Sequence, residues 1–290
     1  MKHLLVVGQG PAGISAAIYA KRGGAAVTVV ANGVGALEKA ERIENYYGFG
    51  EPLTGKELAA QGVEGAKRLG VEFIHGELVG LRFKDTLDGF IAELPTMTLE
   101  AEAVVLAMGT SRLAPPLPGL RELEGHGVSY CAICDAFFYR GKEVAVLGAG
   151  DYALAEAAAL LPHAAKVHLL TNGETPPAHL PPELSVHTEK LAAIRGEGSV
   201  EGVDFAGGEA LAVSGVFVAI GTAGSTAIAK KLGILLDGAY LKVDEKMATN
   251  VPGVFAAGDA TGGLLQVAKA VHEGAVAGLS ALRFLRAGKN

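Results

Sequence analysis

The chain has no tryptophan, and only two of its 290 residues are cysteines. So few cysteines exclude a small fold that depends on several disulfides. Acidic residues outnumber basic ones, 31 to 25, which argues against a nucleic acid as a partner. No apolar run approaches the roughly 20 residues that a membrane-spanning helix needs, so we expect no membrane partner either.

The first residues contain no recognisable secretory leader, because Met1, Lys2 and His3 lead straight into a short apolar run. We therefore expect a cytoplasmic protein. In a reducing compartment, a single closely spaced cysteine pair is catalytic, redox-sensing or metal-binding rather than structural. Half of the residues are apolar, and the length is sufficient for two domains with a core each.

A glycine-rich fingerprint opens the chain. Residues 4–7 are typical of a buried strand, a helix is expected up to about Arg22, and residues 27–30 are typical of a second strand. This order is characteristic of a dinucleotide-binding domain, in which the turn holds a pyrophosphate at a helix N-terminus. The acidic residue that usually binds the ribose is missing, since Ala31 and Asn32 occupy its place; Asn32 or backbone groups would replace it. The predicted pyrophosphate residues are Gly8, Gly10, Pro11, Ala12 and Gly13.

A second fingerprint repeats the first one. Residues 143–147 form another apolar run, and Gly148, Gly150 and Asp151 follow it. The fold class predicted from this repeat is α/β, with two Rossmann-like, doubly wound, three-layer domains. Residues 254–259 are typical of a strand that returns to the first domain, so the second domain is expected to be inserted into the first. The predicted boundaries are 1–113 with 243–290 for the first domain, and 114–242 for the second.

Both cysteines, Cys131 and Cys134, lie between the two fingerprints, and Asp135 follows directly. A dithiol at this position suggests a path for electrons from a flavin to a disulfide and then to an outside acceptor. Two inert buried thiols would be a different interpretation. A zinc site with His126 and Asp135 would need further ligands. Asp135 alone is also a common type of helix cap.

Taken together, these motifs resemble the low-molecular-weight thioredoxin reductases, which are FAD flavoproteins with two dinucleotide-binding domains. The block around the cysteines is the most specific part of the likeness, and it separates the chain from cysteine-free relatives of the same fold. The matching segments are residues 8–13, 44–49, 127–135, 148–151, 254–259 and 266–267.

The resemblance implies roles for particular residues. Cys134 would exchange electrons with the flavin, Cys131 would attack the disulfide of thioredoxin or a thioredoxin-like protein, and Asp135 would act as the acid/base. Asp259 would accept a hydrogen bond from a ribityl or ribose hydroxyl, and Asn45 would contact the flavin end. The resemblance also implies a homodimer. Besides the glycine turn, the residues implied in FAD binding are Asn45, Gly109, Gly258, Asp259, Gln266 and Val267.

The second domain departs from the family pattern. Family members that use NADPH carry arginines after the second strand of this domain, whereas no arginine occurs here between Arg140 and Arg195. Glu174 stands where it would repel a phosphate, and Tyr152 replaces a small serine and could fill the pyrophosphate site. Gly148, Gly150 and Asp151 would then form a vestigial site.

These departures resemble the ferredoxin-dependent flavin thioredoxin reductases and argue against a pyridine nucleotide as cofactor. Two alternatives stay open. Glu174 could bind the ribose of NADH in an NAD(P)H-dependent enzyme, or the chain could be a redox sensor that holds FAD without turnover.

Overall fold

The structure is a computed structural model that describes residues 2–109, 116–130, 132–220, 225–238 and 240–288. Cys131 lies outside the described residues, and so does the side chain of Cys134. The chain forms two compact units, within which most residue contacts are made. Unit 1 is Met1–Ser111 with Gly224–Asn290, and unit 2 is Arg112–Ala223. The predicted α/β class with two Rossmann-like units is confirmed.

Short strands and a few helices make up both units. The strands are β1 (His3–Val7), β2 (Ala26–Ala31), β3 (Glu72–His75), β4 (Gly80–Phe83), β5 (Phe90–Glu93), β6 (Thr98–Ala101), β7 (Ala103–Leu106), β8 (Val128–Ser129), β9 (Glu143–Leu147), β10 (Lys166–Leu170), β11 (Leu184–His187), β12 (Leu191–Arg195), β13 (Gly202–Phe205), β14 (Ala210–Ala212), β15 (Val216–Val218), β16 (Leu236–Asp237), β17 (Tyr240–Leu241) and β18 (Val254–Ala256). The helices are α1 (Pro11–Arg22), α2 (Gly55–Arg68), α3 (Ala132–Asp135), α4 (Asp151–Leu160), α5 (Ser225–Leu232) and α6 (Val267–Ala287), with 3-10 helices at Gly35–Lys39, Ala136–Tyr139 and Gly258–Thr261.

Unit 1 is built on a parallel sheet in the order β18-β7-β1-β2-β3. Its central strands are continuous apolar runs because both faces of a parallel sheet are covered. In β1, for example, Leu4, Leu5 and Val6 are fully buried. β18 pairs with β7, so the chain returns to the first sheet after unit 2.

α6 lies directly on α1, and two glycines allow this close approach. A Cβ atom at Gly274 would lie 2.1 Å from the carbonyl oxygen of Ala12, and one at Gly278 would lie 2.3 Å from that of Ala16. Any larger side chain at either position would push the helices apart. The packing therefore places α6 against the helix that begins at the first glycine turn.

Unit 2 repeats this plan. Its parallel sheet has the order β8-β15-β9-β10-β11, which matches β18-β7-β1-β2-β3 strand for strand. The difference lies in the outer strand, because β18 comes late in the chain whereas β8 precedes the rest of its sheet. A three-stranded antiparallel sheet, β12-β13-β14, covers one face of the parallel sheet, with Val203 and Phe205 in the same core as Ala145 and Leu147.

The second crossing between the units lies earlier in the chain than the predicted boundary at residues 242–243. The residues from Gly224 onward belong to unit 1. α5 packs against β4, the Ser225 hydroxyl donates to the Gly109 carbonyl oxygen at 3.2 Å, and the Tyr240 ring lies against Gly262. The turn at residues 251–253 therefore lies within unit 1 and leads into β18.

None of the helices in the described part of the chain combines the length and apolar character that a bilayer crossing requires.

Candidate active site

The first glycine turn has the geometry of a phosphate cradle. Gly8 has a φ of +107°, and a Cβ atom at Gly13 would lie 1.9 Å from the carbonyl oxygen of Gly8. At Gly10, in contrast, a Cβ atom would meet nothing within 4 Å, so open space lies beside the backbone there. α1 begins at Pro11 with no side-chain cap and no acidic residue in its first turn. Its first N–H groups have no partner inside the helix, which suits a pyrophosphate.

Substitutions at two of these glycines are expected to separate folding from cofactor binding. Gly13→Ala should lower the free energy of unfolding by about 2–4 kcal/mol, since its Cβ collides with backbone. Gly10→Ala should leave the stability of the apoprotein nearly unchanged but weaken FAD binding by at least about tenfold, because the methyl group occupies the cradle. Thermal unfolding of the apoproteins and FAD titration check both. A Gly10→Ala protein with unaltered FAD affinity would contradict this assignment of the cradle.

Four of the segments predicted to bind FAD lie next to one another in unit 1. A Cβ atom at Gly258 would lie 2.8 Å from that of Ala12, which places the 3-10 helix Gly258–Thr261, with Asp259, beside the start of α1. The Asn45 side-chain amide donates to Gln266 Oε1 at 2.9 Å. Gln266 is the N-terminal cap residue of α6, which begins at Val267 and has no acidic residue in its first turn. Gly109, just after β7, has a φ of +71°.

The dithiol segment follows β8 in unit 2. β8 ends at Ser129, whose hydroxyl donates a 2.6 Å hydrogen bond to Asp135 Oδ2. Asp135 precedes the 3-10 helix Ala136–Tyr139, but its side chain makes no capping hydrogen bond there. The carboxylate is thus held by Ser129 rather than by a helix end, and no sequence motif indicates this contact. Within the described residues, no group of three or more His, Cys, Asp or Glu side chains is placed to hold a metal.

The second glycine turn resembles the first in its backbone but differs in its surroundings. A Cβ atom at Gly148 would lie 2.1 Å from the carbonyl oxygen of Ala219, so the tight turn again requires glycine. Gly150 caps α4 without a side-chain bond, as Gly10 caps α1. The first turn of α4, however, contains an acidic residue, Asp151, and the 3 % exposed ring of Tyr152. A carboxylate at a helix N-terminus competes with a phosphate for the same positive end.

Comparison with known proteins agrees with this geometry. Residues 2–274 match the family model of the pyridine nucleotide-disulphide oxidoreductases. A thioredoxin reductase from Listeria monocytogenes is 33% identical over 97% of this chain and 93% of its own length, and one from Bacillus subtilis is 31% identical over 97% and 94%.

The chain belongs to the thioredoxin reductases of the pyridine nucleotide-disulphide oxidoreductase family.

Among solved structures, the atypical thioredoxin reductase TRi from Desulfovibrio vulgaris superposes with a TM-score of 0.93 at 36% identity, covering 100% of this chain and 99% of that one. A ferredoxin-flavin thioredoxin reductase from Clostridium acetobutylicum has a TM-score of 0.75 at 31% identity, covering 99% of both chains.

FAD is the cofactor of this family and of this chain. The residues of unit 1 fit it, because the open cradle at Gly10 and the uncapped start of α1 suit its pyrophosphate. The uncapped start of α6, at Gln266 and Val267, would donate N–H groups to the flavin's pyrimidine edge. When bound, FAD accepts electrons either in pairs or singly and passes them to a disulfide.

Side-chain hydrogen bonds hold the loop after β10. The Thr171 hydroxyl donates to the carbonyl oxygen of Glu174 at 2.7 Å, and Asn172 Oδ1 accepts the N–H of Leu191 at 2.8 Å. Asn172 is thereby occupied within the protein. The aliphatic chain of Lys190 packs against Gly173: a Cβ atom at Gly173 would lie 3.1 Å from Lys190 Cγ. The motifs did not indicate this lysine, because it lies between β11 and β12 rather than directly after β10.

A partly buried ion pair, which the sequence did not indicate, holds the turn that carries Asp259. Lys269 Nζ lies 3.0 Å from Glu273 Oε2, and these side chains are only 15% and 13% exposed. Lys269 also donates to the Gly258 carbonyl oxygen at 2.8 Å, while Glu273 accepts the Gly258 N–H at 2.9 Å. The Thr261 hydroxyl donates to Glu273 at 2.8 Å. Since both side chains stand on α6, the pair ties the turn at Gly258 to that helix.

Removal of one partner of this pair is expected to be costly. Lys269→Met should lower the free energy of unfolding by about 2–3 kcal/mol, because it leaves the partly buried Glu273 carboxylate without its cation. The holoprotein should also lose FAD more readily, since the turn at Gly258 is no longer fixed. Thermal unfolding and FAD release measure the two effects, with the exposed Lys246 replaced by Met as the matched control. Equal melting temperatures for Lys269→Met and the control would refute this role for the pair.

Proposed function

We propose that this chain reduces the disulfide of thioredoxin, or of a thioredoxin-like protein, with electrons that pass through FAD and the Cys131/Cys134 pair. The observation that carries the proposal is the Cys-x-x-Cys motif at the carboxyl end of β8, with Asp135 held in place by Ser129. The names of the relatives in Listeria, Bacillus and Desulfovibrio support the choice of substrate.

The exchange chemistry assigns one task to each residue. The Cys131 thiolate attacks one sulfur of the substrate disulfide; that S–S bond breaks, and a mixed disulfide forms. The departing thiolate takes up a proton, which Asp135 supplies as the local acid. Cys134 then attacks the sulfur of Cys131 and releases the substrate as a dithiol. The substrate has gained two electrons and two protons, and the enzyme is left with a Cys131–Cys134 disulfide that two further electrons must reopen.

We propose further that the electron donor is ferredoxin rather than NADPH. The pyrophosphate position of unit 2 has Asp151 in the first helical turn and a buried Tyr152 ring next to it. Glu174 adds a second negative charge at the place where the 2′-phosphate would lie. A likeness to a ferredoxin-flavin thioredoxin reductase at 31% identity points to the same donor.

The second candidate is an NAD(P)H-dependent reductase, and one observation favours it. Lys190 lies against Gly173, beside Glu174, and its ammonium group could contact a nucleotide phosphate or neutralise Glu174. One lysine is a point charge without the bidentate geometry of arginine, so it would replace the missing contacts only in part.

Counting product molecules distinguishes a reductase from a redox sensor. The holoprotein is supplied with photoreduced ferredoxin and an excess of oxidised thioredoxin under anaerobic conditions, and new thioredoxin thiols are counted. A reductase is expected to form many thioredoxin dithiols per flavin, whereas a sensor without turnover forms one at most. Formation of one equivalent or less with every donor tried would overturn the proposed function.

A further inference from the structure

We propose that Tyr152 and Glu156, two side chains of α4, hold the backbone on both sides of residue 131 and so position the dithiol for exchange. The inference rests on the proposed function, because it takes Cys131 and Cys134 as the reactive pair. It adds two positioning residues to that site, and it gives α4 a task other than binding a nucleotide.

The two contacts flank residue 131 directly. Glu156 Oε2 accepts a 2.6 Å hydrogen bond from the N–H of Ala132, and both residues are almost completely buried. The Tyr152 hydroxyl lies 3.5 Å from the carbonyl oxygen of Tyr130, at the long end of the range for a hydrogen bond. Tyr152 and Glu156 are four residues apart, so both side chains stand on the same face of α4.

The sheet of unit 2 explains why α4 can reach this segment. β8 and β9 are parallel neighbours of β15, so their carboxyl ends lie at the same edge. The dithiol segment follows β8, and α4 follows β9. A nucleotide would bind in the crevice at that edge. Here Tyr152, which is only 3% exposed, extends from the first turn of α4 to Tyr130 and takes up space in it.

Glu156 brings a carboxylate, as well as a hydrogen-bond acceptor, to the backbone next to residue 131. The bond to Ala132 is as short as charge-assisted bonds are. A carboxylate near a thiol disfavours the thiolate and raises the thiol pKa. A dithiol with less stable thiolates gives up its electrons more readily, which is what the reduction of thioredoxin requires.

The first test measures the acidity of Cys131 alone. Cys134→Ser leaves Cys131 as the one remaining cysteine of the chain. In this background, the pH dependence of iodoacetamide alkylation is compared with and without Glu156→Gln, which keeps an acceptor for the Ala132 N–H but removes the charge. We expect the midpoint of the profile to move down by about one pH unit. Glu183→Gln, an exposed glutamate in the same unit, is the control and should not move it. An unchanged midpoint for Glu156→Gln would overturn the role of this carboxylate.

The second test concerns Tyr152. In the same background, Tyr152→Ser should raise the alkylation rate of Cys131 by about fivefold or more, because it removes the side chain that contacts the backbone of Tyr130. The pH midpoint of the profile should not move, because no charge is removed. Tyr152→Phe keeps the ring but removes the hydroxyl contact with the Tyr130 carbonyl oxygen, so its alkylation rate should lie between those of the parent and Tyr152→Ser. Equal rates for Tyr152→Ser and the parent would show that the ring braces nothing.

A third measurement needs no change at positions 152 or 156. Hydrogen exchange at the Ala132 amide of the oxidised holoprotein should be slow, because its N–H is bonded to a buried carboxylate. Exchange as fast as in an unprotected peptide would contradict the contact even if the Glu156 variant failed to fold. None of the three readouts uses thioredoxin turnover, so loss of the proposed function and loss of this inference are seen separately.

Discussion

Micromolar NADPH is expected to leave the flavin of the purified holoprotein oxidised, whereas an equal amount of photoreduced, low-potential ferredoxin should bleach it within seconds. Loss of two charge-assisted contacts to the 2′-phosphate costs roughly 3–6 kcal/mol, or about 10²–10⁴ in affinity. Asp151 in the first turn of α4 and Glu174 after β10 add like-charge repulsion. Because a flavin can accept electrons singly, two transfers from an iron–sulfur donor can replace one hydride.

The decisive comparison is anaerobic bleaching of the flavin absorbance band by NADPH, NADH and ferredoxin at matched concentrations. NADH serves as the internal control, since it lacks the 2′-phosphate and should differ little from NADPH if that phosphate has no site. Lys190→Met provides the matching variant and should change the ferredoxin rate by less than about twofold. Rapid, saturable bleaching by micromolar NADPH with efficient turnover would return the protein to the NADPH-dependent reductases. A large loss of that activity in Lys190→Met would then identify the lysine as the replacement contact.

Replacement of either cysteine is expected to abolish thioredoxin reduction while one FAD per chain stays bound. Both thiols are needed, because one forms the mixed disulfide and the other resolves it. Cys131→Ser should in addition leave the Cys134 thiolate as partner of the flavin, which would be visible as a long-wavelength absorbance band. The activity loss should exceed about 10³-fold, since no other cysteine exists in the chain to take over.

The absorbance spectrum of each variant supplies the control, since an unchanged ratio of flavin to protein absorbance shows that the first unit is intact. Appearance of the long-wavelength band in Cys134→Ser instead of Cys131→Ser would reverse the roles of the two thiols. Full activity in either variant would contradict the dithiol mechanism altogether.

Local patterns predicted most of the fold from the sequence. The two glycine turns, the strands beside them and the returning strand at residues 254–256 rest on short-range rules: apolar runs make buried strands, and glycine permits tight turns. The boundary of unit 2 was harder, because it depends on the packing of α5 against β4 and of Tyr240 against Gly262. Contacts of this kind leave no signal in a single sequence.

The candidate site divides in the same manner. Motif residues such as Gly10 and Gln266 could be named in advance, since each acts through its backbone at a helix start. The supporting side chains could not. The roles of these side chains depend on their contacts, and their partners lie on other elements or at a turn whose conformation no sequence motif predicts. They are Ser129, Glu156 and the Lys269–Glu273 pair.

The packing of α6 on α1 has a consequence for the order in which the two units fold during translation. Gly274 and Gly278 lie close to the backbone of Ala12 and Ala16, so α1 can complete its packing only after α6 has been synthesised. The inserted unit, Arg112–Ala223, is complete long before α6 leaves the ribosome, and domains generally fold as units in the order of their synthesis. Nascent chains should therefore acquire the thiol-bearing unit first and take up flavin only after α6 has been synthesised.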